Sequence, residues 1–160
     1  MRDIKEIIDD SYKLFNPEKK IPPMTLRAGD AEDRYEENLP AYDPKFDEPT
    51  DRYLEKYYDG VTYLDAESWR FYLPHLIDYS LRKLEDGELI VDSFLSSLRP
   101  PDREPPRLKS LTDAQKELIK EVLDILAFDD KSIFKEYAMT VMEEYWVSNS
   151  LYGNDNSKFN

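Results

Sequence analysis

Apolar residues recur at helical spacing through most of this chain and alternate with polar ones almost nowhere. Ile4, Ile7, Ile8, Ser11, Tyr12 and Phe15 place an amphipathic helix over Asp3–Phe15, and Asn16-Pro17 ends it. Pro22-Pro23 keeps the following stretch extended. The densest block is Val61–Leu84, VTYLDAESWRFYLPHLIDYSLRKL. Asp65 can cap a helix that Trp69, Phe71, Tyr72 and Leu73 continue, and Leu73, Leu76, Ile77, Ser80, Leu81 and Leu84 form one buried face. Pro74 divides the block into two helices, Asp65–Tyr72 and Pro74–Leu84, or kinks a single one.

Asp86-Gly87 turns the chain, and Val91, Phe94, Leu95 and Leu98 define a helix over Glu88–Leu98. Arg99–Arg107, RPPDREPPR, has four prolines in nine residues and reads as an extended connector. Thr112-Asp113-Ala114-Gln115 is a capping box, opening a helix whose inner face is Leu118, Ile119, Val122, Leu123 and Leu126. Phe128 and Asp129-Asp130 end it and cap the last helix, which runs from Ile133 and Phe134 through Tyr137, Ala138, Val141, Met142 and Tyr145 to Trp146. Only Gly60–Leu64 could be a short strand. The pattern predicts an all-α, single compact domain of about six helices over 1–148, with a flexible polar tail over 149–160.

Between the first helix and the aromatic block the character changes. Gly29–Asp59 holds eleven acids against Arg34, Lys45, Arg52 and Lys56. Tyr35, Leu39, Tyr42, Phe46, Tyr53, Leu54, Tyr57 and Tyr58 are threaded among them. Pro40, Pro44 and Pro49 forbid a long helix, so two short helical pieces, near Asp30–Glu37 and Asp51–Tyr58, flank a long acidic Pro/Tyr-rich loop region. The whole chain has 35 acids and 22 bases, a net charge of −13. Such a charge disfavours nucleic acid and anionic membrane as partners and favours a basic protein. No stretch approaches the length of a membrane span, and there is no cysteine, which suits a cytoplasmic protein without disulfides.

The catalytic repertoire is thin. His75 is the one histidine and fits a helix surface or core edge; no phosphate-cradling loop or nucleophile motif occurs. Asp43, Asp47 and Asp51 recur every four residues but break the calcium-loop pattern, since Pro44 and Pro49 fall inside. Asp65 and Glu67 could form a glycosidase-like pair, yet both suit a helix start better. No cofactor or metal is expected. Arg70, amid aromatics, is expected to pair with a carboxylate and stack on a ring. The contact surface for a partner is assigned to Tyr35, Glu36, Glu37, Tyr42, Asp43, Asp47, Glu48, Asp51 and Tyr53, because tyrosine supplies contact area at low entropic cost and carboxylates complement a basic face.

Tyr63–Pro74, YLDAESWRFYLP, followed by Leu98-Arg99-Pro100 and by the helix start Leu111–Gln115, resembles a family of small bacterial proteins of unknown function. The likeness runs over roughly Tyr57–Leu126 and leaves the N-terminal half and last helix outside. It implies a helical domain with no established activity, in which Asp65, Arg70, Pro74 and Gln115 are structural. Small acidic helical proteins of this kind also resemble immunity partners of toxins. Together these features lead to a non-enzymatic protein that neutralises or chaperones a basic partner, for example a toxin. A carboxylate-dependent hydrolase or metal-binding enzyme, and a nucleic-acid mimic, are the alternatives. The oligomeric state is left open.

Overall fold

The computed structural model describes residues 2–15 and 20–153. Among them are seven α-helices: α1 (Ile4–Phe15), α2 (Leu26–Asp33), α3 (Asp51–Lys56), α4 (Ala66–Arg82), α5 (Leu89–Ser97), α6 (Asp113–Phe128) and α7 (Lys135–Val141). Tyr58–Tyr63 and Leu108–Ser110 are 3₁₀ turns, and α7 runs on into a π-helical turn over Met142–Trp146. No described residue is in a β-strand, so the expected strand at Gly60–Leu64 is corrected to the first of those 3₁₀ turns.

α4 is the central element. Trp69, Tyr72, Leu73, Leu76, Ile77, Tyr79 and Leu81 are all buried on it, and α1, α5 and α6 pack around it. Asp65 caps it, accepting from the Ser68 N–H at 2.8 Å. The helix runs unbroken through Pro74, which settles the choice left by the sequence. An interior proline removes one ladder bond and costs about 3 kcal/mol. Burial of apolar side chains on both sides of it, at about 1.5–3 kcal/mol each, outweighs that cost.

Local signals set most other ends. The Thr112–Gln115 capping box forms as expected, and Gln115 Nε2 also donates to the Leu14 carbonyl, joining α6 to α1. Thr25 and Thr50 cap α2 and α3, so α2 starts well before the expected Asp30. Gly29 lies inside α2 because a neighbouring backbone demands it. A Cβ there would sit 2.5 Å from the Gly60 carbonyl oxygen, and one on Gly60 would sit 2.2 Å from the Leu26 oxygen. The two glycines let α2 and the Tyr58–Tyr63 turn meet backbone to backbone.

Two expectations fail at the C-terminal side. Asp129-Asp130 does not cap α7: Asp129 accepts from the Lys131 N–H in a tight turn, and Phe134 stands at the cap position. Ile133, expected within the last helix, precedes it and is exposed, while α6 ends at Phe128 as expected. Within the stretch expected as a tail, the Leu151 and Tyr152 N–H groups donate to the Glu143 and Glu144 carbonyls at 3.0 and 2.9 Å. Residues 154–160 of that tail lie outside the described residues. None of the helices is long and apolar enough to cross a membrane, among the described residues.

Candidate functional site

The loop between α2 and α3 is built around one buried carboxylate. Asp47, 1% exposed, accepts from Arg27 Nε and Nη2 at 3.1 and 2.9 Å, from the Tyr53 hydroxyl at 2.8 Å and from the Asp43 N–H at 2.8 Å. The Tyr53 hydroxyl in turn accepts from the Arg27 N–H, and the Tyr72 hydroxyl accepts from the Leu26 N–H, so both tyrosines close the start of α2. Burial alone would raise the Asp47 carboxyl; donation by Arg27, Asp43 and Tyr53 outweighs it and holds the group below the usual carboxylate range. Burial pushes the Tyr72 phenol up to about 12 and raises Tyr53 as well.

The far end of the loop is fixed to α4. Arg82 donates to both Asp51 oxygens at 2.7 and 3.1 Å and to Asp78 at 2.6 Å, and Tyr12 of α1 donates to the other Asp78 oxygen at 2.8 Å. Donation by Arg82 lowers the Asp51 pKa.

Between these two anchors lies a cavity of about 410 Å³, lined by Tyr12, Ile21, Tyr42, Phe71 and His75 with Lys20, Pro49 and Pro74. It is an aromatic slot. Phe71 and His75 stand one turn apart on α4 with ring centroids 5.8 Å apart, and Tyr12 meets His75 edge-on at 5.2 Å. Burial drives the His75 pKa down to about 4, so its ring is neutral at physiological pH despite Asp78 nearby. Burial also raises the Tyr12 phenol. The Tyr12 and His75 rings, contributed by α1 and α4, are therefore uncharged.

The nine residues assigned to a partner surface divide three ways. Asp47 and Tyr53 are buried as the pin of the loop, held by the Arg27 guanidinium and the Tyr72 hydroxyl. Tyr42 lines the slot, while Asp51 is tied to Arg82 and Asp43 holds its own turn by accepting from the Lys45 N–H. Tyr35, Glu36, Glu37 and Glu48 remain on the surface. Tyr35 is 93% exposed and has φ of 61°, a left-handed conformation at the end of α2 that favours glycine. Leu39 and Phe46 are exposed on the same loop.

Sequence reasoning passed over Tyr12, Phe71 and His75 as slot residues and Arg27 and Arg82 as anchors. The i, i+4 spacing of Phe71 and His75 was a usable signal; the pairing of Arg27 with Asp47 had none. Arg70 also departs from expectation, for it donates to the Ser110 hydroxyl at 2.6 Å rather than to a carboxylate. Among the described residues no three His, Asp or Glu side chains converge as a metal site would require.

A model described as a family of unknown function, DUF6714, matches residues 3–150. The match takes in α1, the acidic loop and α7, well beyond the span of the sequence resemblance. No curated protein and no solved structure matches the chain. The chain belongs to that family of unknown function.

Proposed function

We propose that this member of the family is a non-enzymatic binding protein that engages a basic segment of a protein partner. The observation that carries the reading is the aromatic slot of about 410 Å³ edged by Tyr42 and Pro49 of the acidic loop. Apolar and aromatic walls take the stem of a lysine or arginine side chain, and ring faces attract its charge. The carboxylates of Glu36, Glu37 and Glu48, on the same loop, supply a long-range field that steers a cationic partner. Tyr35 and Phe46 add exposed contact area. The net charge of −13 favours the same class of partner. A toxin with a cationic cleft is one such partner, and neutralising it is the role we favour in a cytoplasmic setting.

The test uses a partner captured from the native host and eluted by salt. Reversing Glu36, Glu37 and Glu48 to lysine leaves the buried Asp47 pin intact. Association should slow by about tenfold or more and lose most of its salt dependence, because steering acts on the on-rate. Tyr42→Ala should instead speed dissociation. Unchanged kinetics in both variants would remove the loop and slot from the interface.

A further inference from the structure

On another part of this acidic molecule the charge is inverted. The connector after α5 is organised by Asp102, whose carboxylate accepts from four backbone N–H groups: Arg103, Arg107 and Leu108 on Oδ1 at 2.8, 2.8 and 2.9 Å, and Lys109 on Oδ2 at 2.9 Å. That cage folds the connector so that Arg103 and Arg107 line one cavity of about 270 Å³, together with Arg99, Thr62, Ser96 and Ser97.

Arg107 is buried, yet its partners are neutral. Nε donates to the Leu64 carbonyl at 3.1 Å, and Nη2 donates to the Val61 and Leu64 carbonyls, while the Trp69 ring covers the guanidinium. Nη1 has no hydrogen-bond partner among the described residues. Neither Arg107 nor Arg103 forms an ion pair with any described carboxylate. The two acids that act on Arg107 from nearby are spent elsewhere: Asp102 on its four amides, Asp65 on the N–H and hydroxyl of Ser68. Arg99 is shared with Glu144 at 2.8 Å. Two guanidinium groups thus face one cavity whose single lining carboxylate, Asp102, forms an ion pair with neither, in a chain with thirteen excess negative charges.

We propose that this cavity binds a phosphate-type oxyanion, held between the open Nη1 edge of Arg107 and the guanidinium of Arg103. The guanidinium fork matches the spacing of phosphate oxygens, and Thr62 lines the same cavity. The volume suits a small anion or the phosphate end of a larger molecule. Burial, and then repulsion from Arg103, lowers the Arg107 pKa to about 9, which is the strain an anion would relieve. This site lies apart from the slot and does not depend on the reading given above for it.

Inorganic phosphate is the probe, titrated at pH 7 against chloride at matched ionic strength and followed by backbone amide shifts. Shifts at Thr62, Ser96, Ser97, Arg107 and Leu108 should saturate with phosphate alone, with Kd on the order of 1 mM. Arg103→Gln, an exposed change that leaves the fold intact, should raise Kd tenfold or more. Arg52→Gln, at an exposed position of α3, should bind as the parent does. Non-saturating shifts shared with chloride, or unaltered binding by Arg103→Gln, would overturn the proposal.

Discussion

Replacing Asp47 with alanine removes the acceptor of four hydrogen bonds at once. Breaking a buried ion pair from one side costs about 3–5 kcal/mol, since the remaining charge stays desolvated. Arg27 keeps about a fifth of its side chain in water and a bond to the Ala41 carbonyl at 3.2 Å, so part of its charge can be rehydrated. That favours the lower end of the range. The buried Tyr53 hydroxyl then loses its short acceptor, which adds about 1 kcal/mol. The expected loss is about 4 kcal/mol, or a fall in Tm of roughly 8–16 °C for a chain of this size. Urea denaturation followed by circular dichroism measures it. In a double-mutant cycle, Arg27→Met should recover part of the loss, because the orphaned charge is gone. The pH dependence has a definite sign. Asp47 titrates lower folded than unfolded, so its contribution is complete above about pH 4 and fades as the pH falls through the lowered folded value. A loss below about 1 kcal/mol, or an Arg27→Met change that makes matters worse by its full single-mutant cost, would refute the pin.

Three further outcomes follow from other parts of the molecule. Gly60→Ala places a methyl 2.2 Å from the Leu26 carbonyl oxygen, a backbone atom that cannot swing aside, and should cost about 3 kcal/mol or more by the same denaturation assay. Tyr35→Gly should stabilise the fold by about 0.5–1 kcal/mol, the left-handed penalty of about 1–2 kcal/mol less the entropic cost of glycine, while weakening partner binding; a gain in stability with unchanged affinity would make Tyr35 idle. His75 titrates lower folded than unfolded, so the unfolded chain binds more protons between pH 6.5 and 4, and stability should fall by up to about 3 kcal/mol as pH drops through that window. His75→Gln should flatten that slope, and an NMR titration of the ring should show no protonation near pH 6.5.

What could be read from the chain, and what could not, divides by the distance over which the cause acts. The Thr112–Gln115 box and the Asp65 cap are decided within four residues, and both form as the pattern demands. The faces of α4 and α6 are legible because burial follows the helical period. Gly29 and Gly60 misled for the opposite reason: each looked like a local boundary, one just before a helix start and one opening a strand, yet their cause is a close approach between segments thirty residues apart. Asp47 and Tyr53 looked like members of a solvated charge run. A run of acids carries no mark of which member will meet an arginine twenty residues earlier in sequence. The cationic cavity was hidden similarly, because RPPDREPPR shows its prolines plainly but not the four amides that Asp102 gathers.

The double anchoring of the acidic loop bears on how it would open and close. One end is fixed to α2 through Arg27 and Asp47, the other to α4 through Asp51 and Arg82, and the first anchor reaches the interior through Tyr53 and Tyr72. Detaching the loop therefore means breaking the buried Arg27–Asp47 pin, so its opening costs several kcal/mol. Its protected amides, such as the Asp43 and Asp47 N–H groups, should exchange with solvent deuterium more slowly than the exposed amides of the same loop. A partner that meets such a loop finds its backbone already ordered by the two anchors. Docking then spends little free energy on ordering the loop, and more of the contact energy remains as affinity.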